Sequence, residues 1–133
     1  MKNSKKILLL VSLLGALAVI LGAFGAHGLK EVLPEQSLSS YNTGIRYHFY
    51  HVLVLFGLSI LLKDKYNKWF YYASISLVVG IVLFSGSIYL LATKDAIGLT
   101  HYKWLGPITP IGGVFFIVAW LLIGLGAMKS NDN

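Results

Sequence analysis

His48 and His51 stand three residues apart in a stretch, Tyr47 to Leu62, that carries no Asp, Glu, Lys or Arg. On a helix this spacing puts both imidazoles on one face, where they could share a metal ion. His27, at the end of an earlier apolar run, offers a third ligand if the two segments pair. The structural alternative is that each imidazole simply hydrogen-bonds to a neighbouring helix. Arg46 lies two residues before His48. Its planar fork suits a phosphate or another anion. It could equally pair with Glu31 or Glu35, or snorkel towards lipid headgroups.

The elements that must hold these groups follow from the charge spacing. Uncharged stretches run from Ile7 to Leu29 (His27 counted neutral), Tyr47 to Leu62, Trp69 to Thr93 and Trp104 to Met128. Three of them exceed the ~20 residues needed to cross ~30 Å of hydrocarbon. With no water to satisfy an exposed backbone, such spans must be helices. The second stretch would reach only about 24 Å. Counted back from Lys63, a full span starts near Thr43, with Ser39 or Ser40 as its cap, which places Arg46 inside the helix. The spans are therefore read as 7–27, 43–62, 69–91 and 107–128 of a single integral membrane domain, an all-α four-transmembrane-helix bundle. The basic start of the chain could also open a signal peptide, but its apolar run of about 20 residues is longer than such segments use. The polar tail from Met128 to Asn133 is expected to fray.

Composition agrees. The 133 residues are 56% hydrophobic and 12% charged, against roughly 45–50% and about 25% in soluble domains. So short a chain cannot hide that excess in a core, and disorder requires the opposite balance. Cysteine is absent, which excludes disulfides, thiolate metal sites and covalent c-type haem. The net charge of +6 is spread between apolar segments, so it is read as topology and not as a nucleic-acid surface. Lys2, Lys5, Lys6, Lys63, Lys65, Lys68 and Lys129 share one side; Lys30, Arg46, Lys94 and Lys103 share the other. The positive-inside rule puts both termini in the cytoplasm. All four histidines, Arg46, Tyr41, Tyr47, Tyr50, Tyr89 and the three prolines then gather at the outer ends.

Gly106-Pro107-Ile108-Thr109-Pro110-Ile111-Gly112-Gly113 reads as a stiff turn into the fourth span. Its functional alternative is an unwound element lining a cavity, as in transporters. Ala18, Gly22 and Ala26 form a small-residue face on the first span, for which Ser85-Gly86-Ser87 and Gly112 offer matching surfaces. No nucleotide loop, nucleophile elbow or zinc-protease helix is present, and no span carries paired carboxylates.

Four motifs in order carry a resemblance over nearly the whole chain: Gly22-Ala23-Phe24-Gly25-Ala26-His27, Tyr41…Gly44…Tyr47-His48…His51, Phe84-Ser85-Gly86-Ser87-Ile88-Tyr89, and Gly106 to Gly113 with Trp120. The set resembles small bacterial membrane proteins of the YgdD/YwdK type. The resemblance implies a four-helix plasma-membrane protein and supplies no activity or cofactor. In such sequences the position of His48 often looks like Gln, which favours His27 and His51 as the shared histidines. His27, Arg46, Tyr47, His51, Tyr89 and Thr109 are therefore the candidate cluster. The expectation is a non-enzymatic protein without cofactor or metal, able to form homo-oligomers, whose outer cluster binds a lipid headgroup or a membrane-protein partner. The alternatives are a small channel or transporter subunit and a histidine-ligated metal or haem protein.

Overall fold

The computed structural model describes residues 2–130. It is helical, with α1 (Lys2–Ala26), α2 (Glu35–Asp64), α3 (Lys68–Gly80), α4 (Gly86–Thr93) and α5 (Ile108–Lys129). A π-helical segment, Ile81–Ser85, joins α3 to α4. These two therefore form one element, and the described residues include four helical segments long and apolar enough to cross a membrane. Short 3-10 turns at Leu29–Glu31 and Lys103–Leu105 lie in the two connections at one end.

α1 packs chiefly on α2, α2 packs on the third span, and α5 packs on α3 and the π segment. The shared core holds Val52, Leu55, Leu58, Leu77, Phe116 and Ala119. Outward faces stay apolar: Leu9, Ile20, Ile117 and Leu121 are each more than 60% exposed. Faces of that kind require hydrocarbon around them, because a soluble protein does not leave such large contiguous apolar areas in water. Trp69 lies under the ammonium groups of Lys68 and Lys129 at one end, and Tyr102 under that of Lys94 at the other, an arrangement suited to membrane–water interfaces.

Several expectations change. α2 begins at Glu35 with Pro34 at its N-cap, so Ser39 and Ser40 lie inside the helix and do not cap it. Pro34 needs no backbone donor there, and Glu35 complements the positive end of the helix dipole. Met128 and Lys129 are still helical; 131–133 of the expected tail lie outside the described residues. The fourth span is helical from Ile108, with Pro107 at the N-cap and Pro110 in the first turn, where a missing N–H costs nothing. It is therefore a stiff helix start and not an unwound element. The small-residue face of α1 meets α2, with Gly22 against Ile45 and Ala18 buried, while Ala26 is exposed.

Gly112 instead serves the contact between α5 and the π segment. A Cβ on it would lie 2.7 Å from Phe84 Cα and 2.8 Å from the Leu83 carbonyl carbon. Two backbones meet there, a contact only glycine permits. At the opposite end Asn67 caps α3, accepting from the Trp69 amide at 2.9 Å and donating to the Gly126 carbonyl of α5 at 3.0 Å.

Candidate functional site

α2 repeats Tyr41, His48 and Leu55 at seven-residue spacing, and all three are buried. Such spacing keeps one face turned to the same neighbours. The Tyr41 hydroxyl donates to the Leu21 carbonyl of α1 at 2.6 Å. One turn further on, Gly44 leaves room for the Tyr89 ring, whose Cε1 would lie 2.9 Å from an added Cβ. The Ser85 hydroxyl donates to the Gly44 carbonyl at 2.7 Å, and His48 Nδ1 shares a 2.9 Å hydrogen bond with the Tyr89 hydroxyl. The π segment ends at Ser85, so the irregular turn and the polar layer coincide. π turns recur at functional positions because they re-aim side chains. His48 is 1% exposed, and its Nε2 has no hydrogen-bond partner; the backbone of Leu14 on α1 faces the ring.

His51 occupies a different environment. Its Nδ1 lies 2.6 Å from the Tyr47 carbonyl, which can only accept, so Nδ1 carries the proton. Nε2 is then left to accept from Trp120 Nε1–H at 3.4 Å. The ring lies flat on Phe116, with centroids 3.6 Å apart and planes 5° from parallel, and Tyr47 stacks against the imidazole at 6.0 Å and tilts against Phe116. An imidazole so enclosed has both nitrogens in use and no lone pair for a metal.

His48 and His51 therefore do not share a ligand: one bonds Tyr89, the other sits among Tyr47, Phe116 and Trp120. His27 is exposed in the turn after α1, away from both. Among the described residues no group of three or more His, Asp and Glu could hold a metal ion.

Arg46 is exposed on α2. It does not reach Glu31 or Glu35; its Nη2 donates to the Thr43 hydroxyl at 3.0 Å. Among the described residues the ion pair present is Lys94–Asp95, an exposed pair of small worth. Thr43 lines an open cleft of about 450 Å³ between α2, α4 and the start of α5, with Gln36, Ser37, Ser40 and Thr109. Thr109 Oγ1 lies 2.6 Å from the Ser87 hydroxyl. The cleft thus presents the Ser37 and Ser40 hydroxyls and the Gln36 amide against an apolar wall of Ile88, Leu91 and Ala92, with the Arg46 guanidinium held next to it on Thr43, a mixed set that suits a phosphate carried on an apolar molecule.

The six candidate residues separate into three places. Thr109 lines the cleft, which Arg46 reaches only through its hydrogen bond to Thr43; Tyr47 and His51 belong to the aromatic box, and Tyr89 to the buried layer, while His27 joins none of them. His48, set aside from the cluster because its position often looks like Gln, and Ser85, read only as a packing surface, are the residues the candidate cluster left out. The seven-residue spacing of Tyr41, His48 and Leu55 was the available signal for burying His48; Ser85 was legible only as part of a small-residue surface, and its bond to the Gly44 carbonyl of α2 was not.

Four apolar helices held by an internal polar layer define a multi-pass membrane protein. Residues 21–113 match DUF423, a family of proteins of unknown function. The chain is 36% identical over 127 residues to the inner membrane protein YgdD of Escherichia coli, covering 96% of this chain and 92% of the relative. It is 41% identical over 133 residues to the membrane protein YwdK of Bacillus subtilis, covering 94% and 98%. A membrane protein of Haemophilus influenzae is 40% identical, with 99% of each chain covered. The chain belongs to this YgdD/YwdK family of membrane proteins. No solved structure matches it.

Proposed function

We propose that this is a non-enzymatic plasma-membrane protein with both termini in the cytoplasm, and that its Arg46 cleft binds the phosphate-bearing headgroup of an outer-leaflet lipid. The observation that carries this reading is an exposed guanidinium, anchored on Thr43 and facing no carboxylate among the described residues, beside a hydroxyl-lined cleft. An arginine on a membrane-spanning helix without a carboxylate partner favours an anionic ligand. The orientation rests on the excess of lysine around Lys2–Lys6 and Lys63–Lys68 over the opposite end.

Arg46→Gln is expected to weaken phospholipid binding at this cleft by about tenfold, read as loss of the lipid population retained there through purification. That factor corresponds to the lower range for a hydrogen bond to a charged group, about 1.5 kcal/mol. The thermal midpoint should stay unchanged, because the side chain is exposed. Lipid mass spectrometry identical to that of the wild type would sink the headgroup reading, and loss of a specific co-purifying protein instead would move it to a protein partner. Orientation has its own test, since the chain lacks cysteine. Ile97→Cys should react with a membrane-impermeant thiol reagent on intact cells, and Lys65→Cys only after lysis; the reverse pattern would invert the topology.

A further inference from the structure

The opposite end of the bundle holds a groove of different character. α1 leans on α2 and leaves a gap before α3, about 250 Å³ in volume, with Leu55 of α2 at its floor. Ile7 and Leu10 form one wall, and Ile75 and Val78 the other. Ser74 also lines it, but its hydroxyl donates to the Phe70 carbonyl at 2.9 Å, so apart from the Tyr71 phenol the lining between the two walls is apolar. Asn3 and Lys6 stand at the mouth.

No carboxylate lines this groove, and α1 contains none. Lys6 is exposed, yet its helix is held in place: the Ser4 hydroxyl, buried beside it, donates to the Ser59 carbonyl of α2 at 2.7 Å. The groove on the other flank of α1 differs, because Asp64 accompanies Lys5 and Lys63 there. Depth limits the occupant. The lining of α1 runs from Asn3 to Leu10, about 12 Å of helix, close to the ~15 Å hydrocarbon depth of one leaflet. Further along, His48 is sealed at 1% exposure, so the groove does not continue through the membrane. A second transmembrane helix would need the full span; one acyl chain does not.

We propose that this groove seats an acyl chain of an anionic phospholipid from the leaflet on the N-terminal side, with its phosphate at Lys6 and Asn3. Charge complementarity selects the headgroup, and the apolar walls hold the chain. The site is independent of the Arg46 cleft, at the other end of the molecule.

Native mass spectrometry of the full chain in detergent, with phosphatidylglycerol or phosphatidylcholine of identical chains, tests it. The measurement is made on Arg46→Gln protein, so that the distant cleft does not contribute. Phosphatidylglycerol is expected to be retained about fivefold over phosphatidylcholine, the factor equivalent to about 1 kcal/mol for one lysine near an anionic surface. Adding Lys6→Gln should bring the ratio close to one. Ile75→Trp, which fills the groove from a residue 46% exposed, should lower retention of both lipids. A ratio of one before Lys6 is changed, a ratio indifferent to Lys6→Gln, or retention indifferent to Ile75→Trp would each overturn the proposal. So would efficient disulfide dimerisation of Ile75→Cys in membranes, which would assign the groove to a second copy.

Discussion

Gly112→Ala is expected to be the most damaging single-methyl change in the protein. The added Cβ would fall 2.7 Å from Phe84 Cα and closer still to the Phe84 amide nitrogen. A side-chain clash can relax through a rotamer; this one is with backbone. α5 and the π segment would have to separate along a contact that also carries the Ser76 hydroxyl on the Phe115 carbonyl at 2.6 Å and the Ser87–Thr109 pair. Overpacking typically costs about 1–3 kcal/mol, and a clash between two helix backbones belongs at or above the upper value. Thermal unfolding in detergent should show a large fall in midpoint. Gly57→Ala is the matched control: a Cβ there meets nothing within 4 Å, and alanine favours helix by up to about 1 kcal/mol, so its midpoint should hold or rise. Equal midpoints for the two variants would refute the close backbone contact.

The second large effect concerns the buried layer. Tyr89→Phe keeps the ring over Gly44 and removes only the hydroxyl, leaving His48 with neither ring nitrogen hydrogen-bonded to a side chain. Stranding a buried polar group costs about 1–3 kcal/mol. Hydrogen bonds between membrane helices average nearer ~0.6 kcal/mol, with a maximum of about 1.7, so a loss between about 1 and 2 kcal/mol is expected. His48→Leu alone strands the Tyr89 hydroxyl and should cost a similar amount. The double variant His48→Leu/Tyr89→Phe removes both partners together and should recover at least half of the summed loss, because an apolar pair of similar shape leaves nothing unsatisfied. Strict additivity in thermal unfolding would mean that the 2.9 Å contact contributes no coupling.

The elements were largely legible because hydrocarbon leaves a chain few options: runs such as Trp69–Thr93 and Trp104–Met128 must close their hydrogen bonds internally. Their boundaries were less so. α2 continues to Glu35, beyond the apolar stretch, since helix propagation does not stop where hydrophobicity does; Pro34 stops it. The site was legible only as a grouping. Counting by side brought Arg46 to one end and the Gly106–Gly113 motif brought Thr109 there; Thr109 lines the cleft that Thr43, the partner of Arg46, also lines. The same count could not tell that His51 faces Phe116 and Trp120 while His48 faces Tyr89, although three residues separate them. Residues at i and i+3 are neighbours on a helix surface, but they point some 60° apart, and in a packed bundle that rotation selects a different partner helix.

By itself, then, the sequence determined that four apolar helices cross a bilayer and that the polar side chains concentrate at one end. Those outcomes depend on solvation, which acts on each segment separately. Only the tertiary structure decided which helix α1 packs on, why Gly112 must lack a side chain, and which imidazole is fully bonded. Those depend on contacts between residues far apart in the chain: Gly112 meets the backbone of the π segment at Leu83 and Phe84, and His51 meets Phe116 and Trp120 of α5, pairings that no periodicity within a single segment announces.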